Sequence, residues 1–172
     1  DDLAAKASAS GAGHLLLSNM RGHLCDMDRL MEIASGAGLT VIEDCAHTMG
    51  ARWARRKSGS FGLAGCFSTQ TYKHMNSGEG GLLVTDDAEL AARAVLLSGS
   101  YMLFARHRAA PPAEVFEALK LDVPNVSSRM DNLRAAILRP QIGMLDDRRA
   151  RWRALYQGME RGLEGVAGVQ LI

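Results

Sequence analysis

The segment Leu39-Thr-Val-Ile-Glu-Asp-Cys-Ala-His47 joins a β-branched apolar run to an acidic pair, Glu43-Asp44. Such a run, bounded by Gly38 on one side, predicts a short buried strand that ends on its two acids. Upstream, His14-Leu-Leu-Leu-Ser18 predicts another. Between them Asp26 is placed to cap a helix carrying Met27, Leu30, Met31 and Ile33, which Gly36 and Gly38 end. Downstream, a Gly- and Arg-rich stretch over 50–65 leads to a third strand at Cys66-Phe-Ser68. A fourth follows at Gly80-Gly-Leu-Leu-Val-Thr85. Asp86 or Asp87 then caps a helix from Ala88 to Leu97 whose apolar face holds Leu90, Ala91 and Val95. Strand, helix, strand with short links predicts an α/β fold, a mostly parallel sheet with crossover helices. The continuous apolar runs predict strands covered on both faces.

The last third reads differently. Residues 99–124 are irregular, with Pro111, Pro112 and Pro124. Beyond them Leu133, Ile137, Met144, Trp152, Leu155, Met159 and Leu163 recur at helical spacing, which predicts one long amphipathic helix kinked at Pro140. Its outer face, with Asp146, Asp147, Arg148, Arg149, Arg151 and Arg153, reads as solvated. Val169-Gln-Leu-Ile172 reads as the start of a further strand. A first strand at residue 14 and a last one at 169 suggest a piece of a longer protein, or a chain that leans on a partner.

Composition narrows the classes. With 172 residues, 47% of them hydrophobic and 23% charged, the chain can bury a core and is not of a disordered type. The balance of 20 Lys+Arg against 19 Asp+Glu argues against a nucleic-acid binder. No apolar run is long enough to span a bilayer, and the opening Asp-Asp-Leu-Ala-Ala lacks the basic start of a signal peptide. Cys25, Cys45 and Cys66 form no Cys-x-x-Cys and cannot all pair, so neither a disulfide framework nor a zinc site is expected. They read as small buried hydrophobes in a reducing, cytoplasmic setting, and Phe67 and Tyr72 read as core.

Asp44 stands where open α/β sheets bind ligands, at the carboxyl end of a strand. Lys73, 29 residues later, follows another strand end and can project into the same crevice. Pyridoxal phosphate (PLP) needs such a pair: a lysine amine for the Schiff base and a carboxylate for the pyridinium nitrogen. Ser68 and Thr69 could supply donors to its phosphate. Taken alone, a strand-end Asp also serves as a cap, and a lone Lys also serves as a solvated surface group. A dinucleotide-binding reading lacks any G-x-G-x-x-G after a strand.

An ordered set of motifs goes further. Asp44-Cys-Ala-His47 with Gly50-Ala-Arg52, Gly59-Ser-Phe-Gly62, Phe67-Ser68, Lys73, Gly78-Glu-Gly-Gly81 and Thr85-Asp-Asp87 resembles the DegT/DnrJ/EryC1/StrS family of PLP-dependent aminotransferases, of fold type I. Gly22 and Asp26-Met-Asp28 upstream match as well, and so do Arg129-Met-Asp131, Ala135-Ala136 and Gln141 downstream. The resemblance implies transfer of an amino group from an amino acid to a keto-sugar or cyclic ketone. It implies that Lys73 is the Schiff-base lysine and proton carrier, that Asp44 binds the pyridinium nitrogen, that His47 lies beside the ring, and that Ser68 binds the phosphate. It also implies a homodimer with a shared site, in which Arg129 of the segment Asn125-Val-Ser-Ser-Arg129 reaches the other subunit's phosphate. The family's usual Asn two places before that Arg is Ser127 here, while Asn125 stands four places before it. Some relatives carry His in place of the lysine and are dehydratases; here the lysine is kept and His74 follows it. In this scheme residues 1–124 form the α/β core of the cofactor-binding large domain, and residues 125–172 the interface segment and long helix. The family's phosphate turn, its ring-stacking aromatic and its small domain have no match in the chain. A second reading is therefore a truncated, catalytically incomplete homologue that serves assembly.

Overall fold

The computed structural model of the protein describes residues 2–99 and 102–171. The chain runs through α1 (Asp2–Ser10), β1 (His14–Ser18), α2 (Met27–Gly36) and β2 (Thr40–Asp44), then a hairpin of β3 (Arg52–Trp53) and β4 (Arg56–Lys57). There follow β5 (Ala64–Ser68), β6 (Gly81–Val84), α3 (Ala88–Leu97), α4 (Ala113–Leu119), α5 (Asn132–Ile142) and α6 (Leu145–Leu163). The sheet order is β1-β2-β5-β6, with the first three strands parallel and β6 antiparallel to β5. The expected mostly parallel α/β sheet is therefore present. Asp26 and Asp87 cap α2 and α3 by accepting from the N–H groups of Arg29 and Leu90.

Register places the site. Ser18 lies opposite Asp44 and Asp44 opposite Cys66, so the parallel strands end along one edge with Ser18, Asp44 and Ser68. Side chains alternate across a strand, so Asp44 and Glu43 face opposite sides of the sheet. On the Glu43 side, Met27, Leu30, Ala34, Leu39, Val41 and Phe61 form a buried cluster to which β1 adds Leu15 and Leu17, and α1 adds Leu3 and Ala7.

Glu43 is fully enclosed in this side. Its Oε2 accepts from the Gly59 N–H at 2.8 Å, and its Oε1 accepts from Phe61 at 2.6 Å and Gly62 at 2.9 Å. The carboxylate thus pins the 59–62 loop across β2. The approach is tight: a Cβ at Gly62 would lie 2.3 Å from the Val41 carbonyl oxygen. The hairpin before this loop is fastened to α2 by Trp53 Nε1–H, which donates to Asp28 at 2.9 Å.

Several expectations are corrected. The other face of the sheet is not covered by described residues, since α1 and α2 both pack on the Glu43 side; Leu16 is 66% and Leu83 47% exposed. Apolar strand runs report hydrophobicity on both faces without reporting which face this chain covers. Cys66, on that open face, and Cys25, in the loop before α2, are exposed; only Cys45 is buried. The long helix is two helices. Pro140 is accommodated inside α5, and the interruption falls at Gly143–Met144, where glycine's poor helix propensity ends the run. The apolar stripe of α6 is not core either: Trp152 is 62% and Met159 67% exposed. Residues 169–171 form no strand, and Ile172 lies outside the described residues. Helix α1, the hairpin and α4 were not expected; α4 packs Phe116 on Phe104 and on Ala92 and Leu96 of α3. No helix of the described residues is long and apolar enough to cross a membrane.

Candidate active site

Asp44 ends β2 half-buried. Its Oδ2 accepts from the Ser18 hydroxyl at 3.2 Å, and its Oδ1 from the Ala46 N–H at 3.1 Å. The second bond closes an Asx turn that sends the chain back towards β1. There His47 Nδ1 accepts from the Arg21 backbone N–H at 3.0 Å. An accepting Nδ1 leaves Nε2 as the donor nitrogen of the ring. Arg21 makes this bond from a left-handed conformation, φ 55°, which L-residues other than Asn and Asp seldom adopt. Gly22 follows at φ 86°, and a Cβ there would sit 3.2 Å from the His47 carbonyl oxygen.

Lys73 sits in the 69–77 loop between β5 and β6. Thr69 and Ser77 pair backbone N–H to carbonyl at 2.9 Å and hydroxyl to hydroxyl at 3.2 Å across its base. From beneath, Gln141 of α5 grips one residue twice: its Oε1 accepts from Asn76 N–H at 3.1 Å and its Nε2 donates to Asn76 O at 2.7 Å. Arg148 of α6 donates to the His74 carbonyl at 3.0 Å and to Gln141 Oε1 at 2.9 Å. Met49, Met75 and Leu138 fill the space under the loop. The backbone beside Lys73 is thus held on several sides, while its amine has no partner among the described residues.

Lys73 and His47 line the same open cleft of about 950 Å³, and a smaller recess of about 360 Å³ beside it. His74 lines both as well, and burial first, then electrostatic interaction with His47 and Lys73, hold its pKa below the usual value. Asp44 lies at the strand edge, two residues before Ala46 of the recess wall. Ser68 ends β5 half-buried, its Oγ accepting from the Gln70 N–H at 3.2 Å. Arg129 lines neither space in this chain. It donates to the Gly99 carbonyl and to Ser127 Oγ, both at 3.1 Å. Asn125 is a turn residue, its Oδ1 accepting from Ser127 N–H, and Ser127 is left-handed at φ 51°, a conformation Asn adopts more readily.

Sequence reasoning overlooked several residues of this region. Tyr72 is 91% exposed and lines both spaces, so it is not core. Ser18 carried a readable signal, a hydroxyl at the end of the strand next to Asp44. Arg21 carried none, because its contribution is a backbone N–H. The α6 arginines are not a merely solvated face. Arg148 and Arg149 are fastened to carbonyls of His74 and Gly50, and Arg151 and Arg153 line the cleft.

Known proteins resemble the chain in sequence and in fold. The chain is 33% identical over 156 residues to L-glutamine:2-deoxy-scyllo-inosose aminotransferase of Micromonospora echinospora, covering 91% of this chain and 37% of that protein. It is also 33% identical over 172 residues to dTDP-3-amino-3,4,6-trideoxy-alpha-D-glucose transaminase of Streptomyces venezuelae, covering 98% of this chain and 41% of that one. It therefore spans about two fifths of the length of these relatives. The structure superposes on S. venezuelae DesV, solved in complex with a ketimine intermediate, with TM-score 0.73 and 33% identity over 90% of this chain and 38% of that one. The model of the DegT/DnrJ/EryC1/StrS aminotransferase family matches residues 6–172, and the chain belongs to that family.

Proposed function

We propose that the protein is a PLP-dependent aminotransferase that moves an amino group from an amino acid, glutamate or glutamine, to a keto-sugar or cyclic ketone. The observation that carries this is the amine of Lys73, unpartnered among the described residues on a fixed loop, in one cleft with His47 and in one recess with Ala46, two residues after Asp44. The donor set suits the cofactor: an amine without a competing ion pair, and a carboxylate whose two bonds leave acceptor capacity. When bound, PLP supplies an electron sink for charge developing at the substrate carbon.

Lys73 Nζ would anchor the cofactor and, once displaced by the substrate amine, would carry the proton between the substrate carbon and the cofactor. Asp44, oriented by Ser18 and the Ala46 N–H, would hold the ring nitrogen in its protonated form. His47 would donate through Nε2, its other nitrogen being occupied by Arg21 N–H. Ser68 would offer its hydroxyl to the phosphate, and Arg129 would do so across a homodimer interface. In this assignment residues 1–124 serve as the cofactor-binding core and 125–172 as the interface segment and long helix. The exposed, unpaired Cys25 and Cys66 suit a reducing cytoplasm.

Purified protein mixed with PLP is expected to show a visible absorption band, and borohydride is expected to trap the cofactor on the peptide containing Lys73. Lys73→Ala removes both. Asp44→Asn retains the bound cofactor and slows amino transfer by about 100-fold or more. A trapped adduct that survives Lys73→Ala would sink the assignment.

A further inference from the structure

Two neighbouring arginines of α6 reach two different parts of the site. Arg148 Nη1 donates to the His74 carbonyl at 3.0 Å and to Gln141 Oε1 at 2.9 Å, which ties it to the 69–77 loop that carries Lys73. Arg149 Nη1 donates at 2.9 Å to the carbonyl of Gly50, in the segment that follows His47. Its Nη2 pairs with Asp146 of the same helix at 3.2 Å, which braces the guanidinium. Successive side chains leave a helix about 100° apart, so adjacent positions serve two segments only where both converge on the same turn.

They do converge there. Leu145 packs on a buried cluster that joins Met49, from the segment after His47, with Met75, from the Lys73 loop. A Cβ on Gly50 would lie 3.6 Å from Arg149 Cδ and 3.7 Å from Leu145 Cδ2, so the helix lies directly on this turn. Leu145, Arg148 and Arg149 are half-buried, while Asp146, Asp147 and all residues from Ala150 to Tyr156 are exposed. His47 and Lys73 line one cleft from separate loops, so neither loop alone sets their separation. Hydrogen bonds from a guanidinium are stronger than neutral ones, and a site ordered before its ligand arrives avoids the entropy cost of ordering it.

We infer that Arg148 and Arg149 are positioning residues: the start of α6 works as a bracket that fixes the Lys73 loop against the His47 turn and so sets the gap open to the cofactor ring. The inference rests on the assignment of Lys73 as the residue that anchors PLP. It gives the two arginines the spacing of the site and not contact with a ligand.

Hydrogen–deuterium exchange of the full chain, followed by peptide, tests the bracket. Arg148→Ala is expected to speed exchange about tenfold or more in residues 69–77 and to leave 47–52 as in the parent. Arg149→Ala is expected to do the reverse, with β2 unchanged in both. Aldehyde titrations with borohydride trapping test what the bracket does. Either alanine variant is expected to need about tenfold more PLP, and about tenfold more pyridoxal, for half-maximal labelling of Lys73. Labelling of the exposed Lys6 and Lys57 stays as in the parent. Arg148→Lys and Arg149→Lys, which keep a donor, are expected to return within about threefold of the parent. Where an alanine variant does not fold, Arg148→Gln or Arg149→Gln takes its place, with the same crossed pattern expected. The inference is overturned if each variant loosens both segments alike or neither, or if exchange is crossed while labelling of Lys73 is unchanged. It is also overturned if PLP labelling weakens and pyridoxal labelling does not, a result that would put the guanidinium groups on the phosphate. A parent that forms no adduct at Lys73 would instead overturn the cofactor assignment, and the crossed exchange would then decide the bracket by itself.

Discussion

Glu43 and Asp44 are adjacent carboxylates on one strand, and the pleat sends them to opposite sides of the sheet with opposite fates. On the covered side Glu43 is completely enclosed, and three backbone N–H groups of the 59–62 loop saturate it. On the open side Asp44 is half-buried, held by one hydroxyl and one N–H, with lone pairs left for a ligand. The same functional group therefore builds the scaffold in one position and keeps acceptor capacity on the open side in the next. What separates them is the element packed above each face.

The largest expected effect is on the covered side. Glu43→Ala strands three N–H groups and is expected to cost about 3 kcal/mol or more, read as a lower urea midpoint. Asp44→Ala should stay within about 1 kcal/mol of the parent. If the two variants unfold together, the division between scaffold acid and site acid is wrong.

A smaller effect is expected beside Lys73. His74 is held below its usual pKa of 6.5, chiefly by burial, so on acidification the unfolded chain takes up a proton that the folded chain resists. Its contribution to stability is full above about pH 6.5 and is lost as pH falls below that value. Thermal unfolding followed from pH 7.5 to 5.5 should show a steeper decline for the parent than for His74→Gln. Coincident curves would place His74 in open solvent.

The smallest effect belongs to the open face. Cys66→Ser is expected to shift stability by no more than about 0.5 kcal/mol. In the native protein Cys66 should react readily with a maleimide, while Cys45, buried and with its thiol pKa pushed up by that burial, should stay unmodified until denaturant is added. Equal labelling of both would mean that the two faces are equally covered.

Much of this was legible in the chain itself. The α/β class and the capping roles of Asp26 and Asp87 follow from apolar runs and their flanking residues, because those signals are local, whereas His47 was singled out only through the family resemblance. Lys73 and Asp44 could be put forward as a pair because a cofactor of known chemistry demands an amine and an acid at neighbouring strand ends. What stayed hidden is non-local. Nothing in the run Leu15-Leu16-Leu17 tells which of its sides α2 will cover. The break after Ile142 was misplaced because Pro140 is the stronger local signal, although a helix can bend past proline and stop at glycine. The arginines of α6 looked like solvated charge because their spacing is helical; only the fold turns them towards the lysine.

Gln141 and Arg148 reach the loop through carbonyls and an N–H at positions 74 and 76, groups that every residue except proline supplies in full. The clamp therefore recognises a path of the main chain and is indifferent to the identity of what hangs from it. Substitution beside the Lys73 amine can alter the surface there and still keep the grip of the helix, so this corner of the protein can change its side chains without first relearning how to fold.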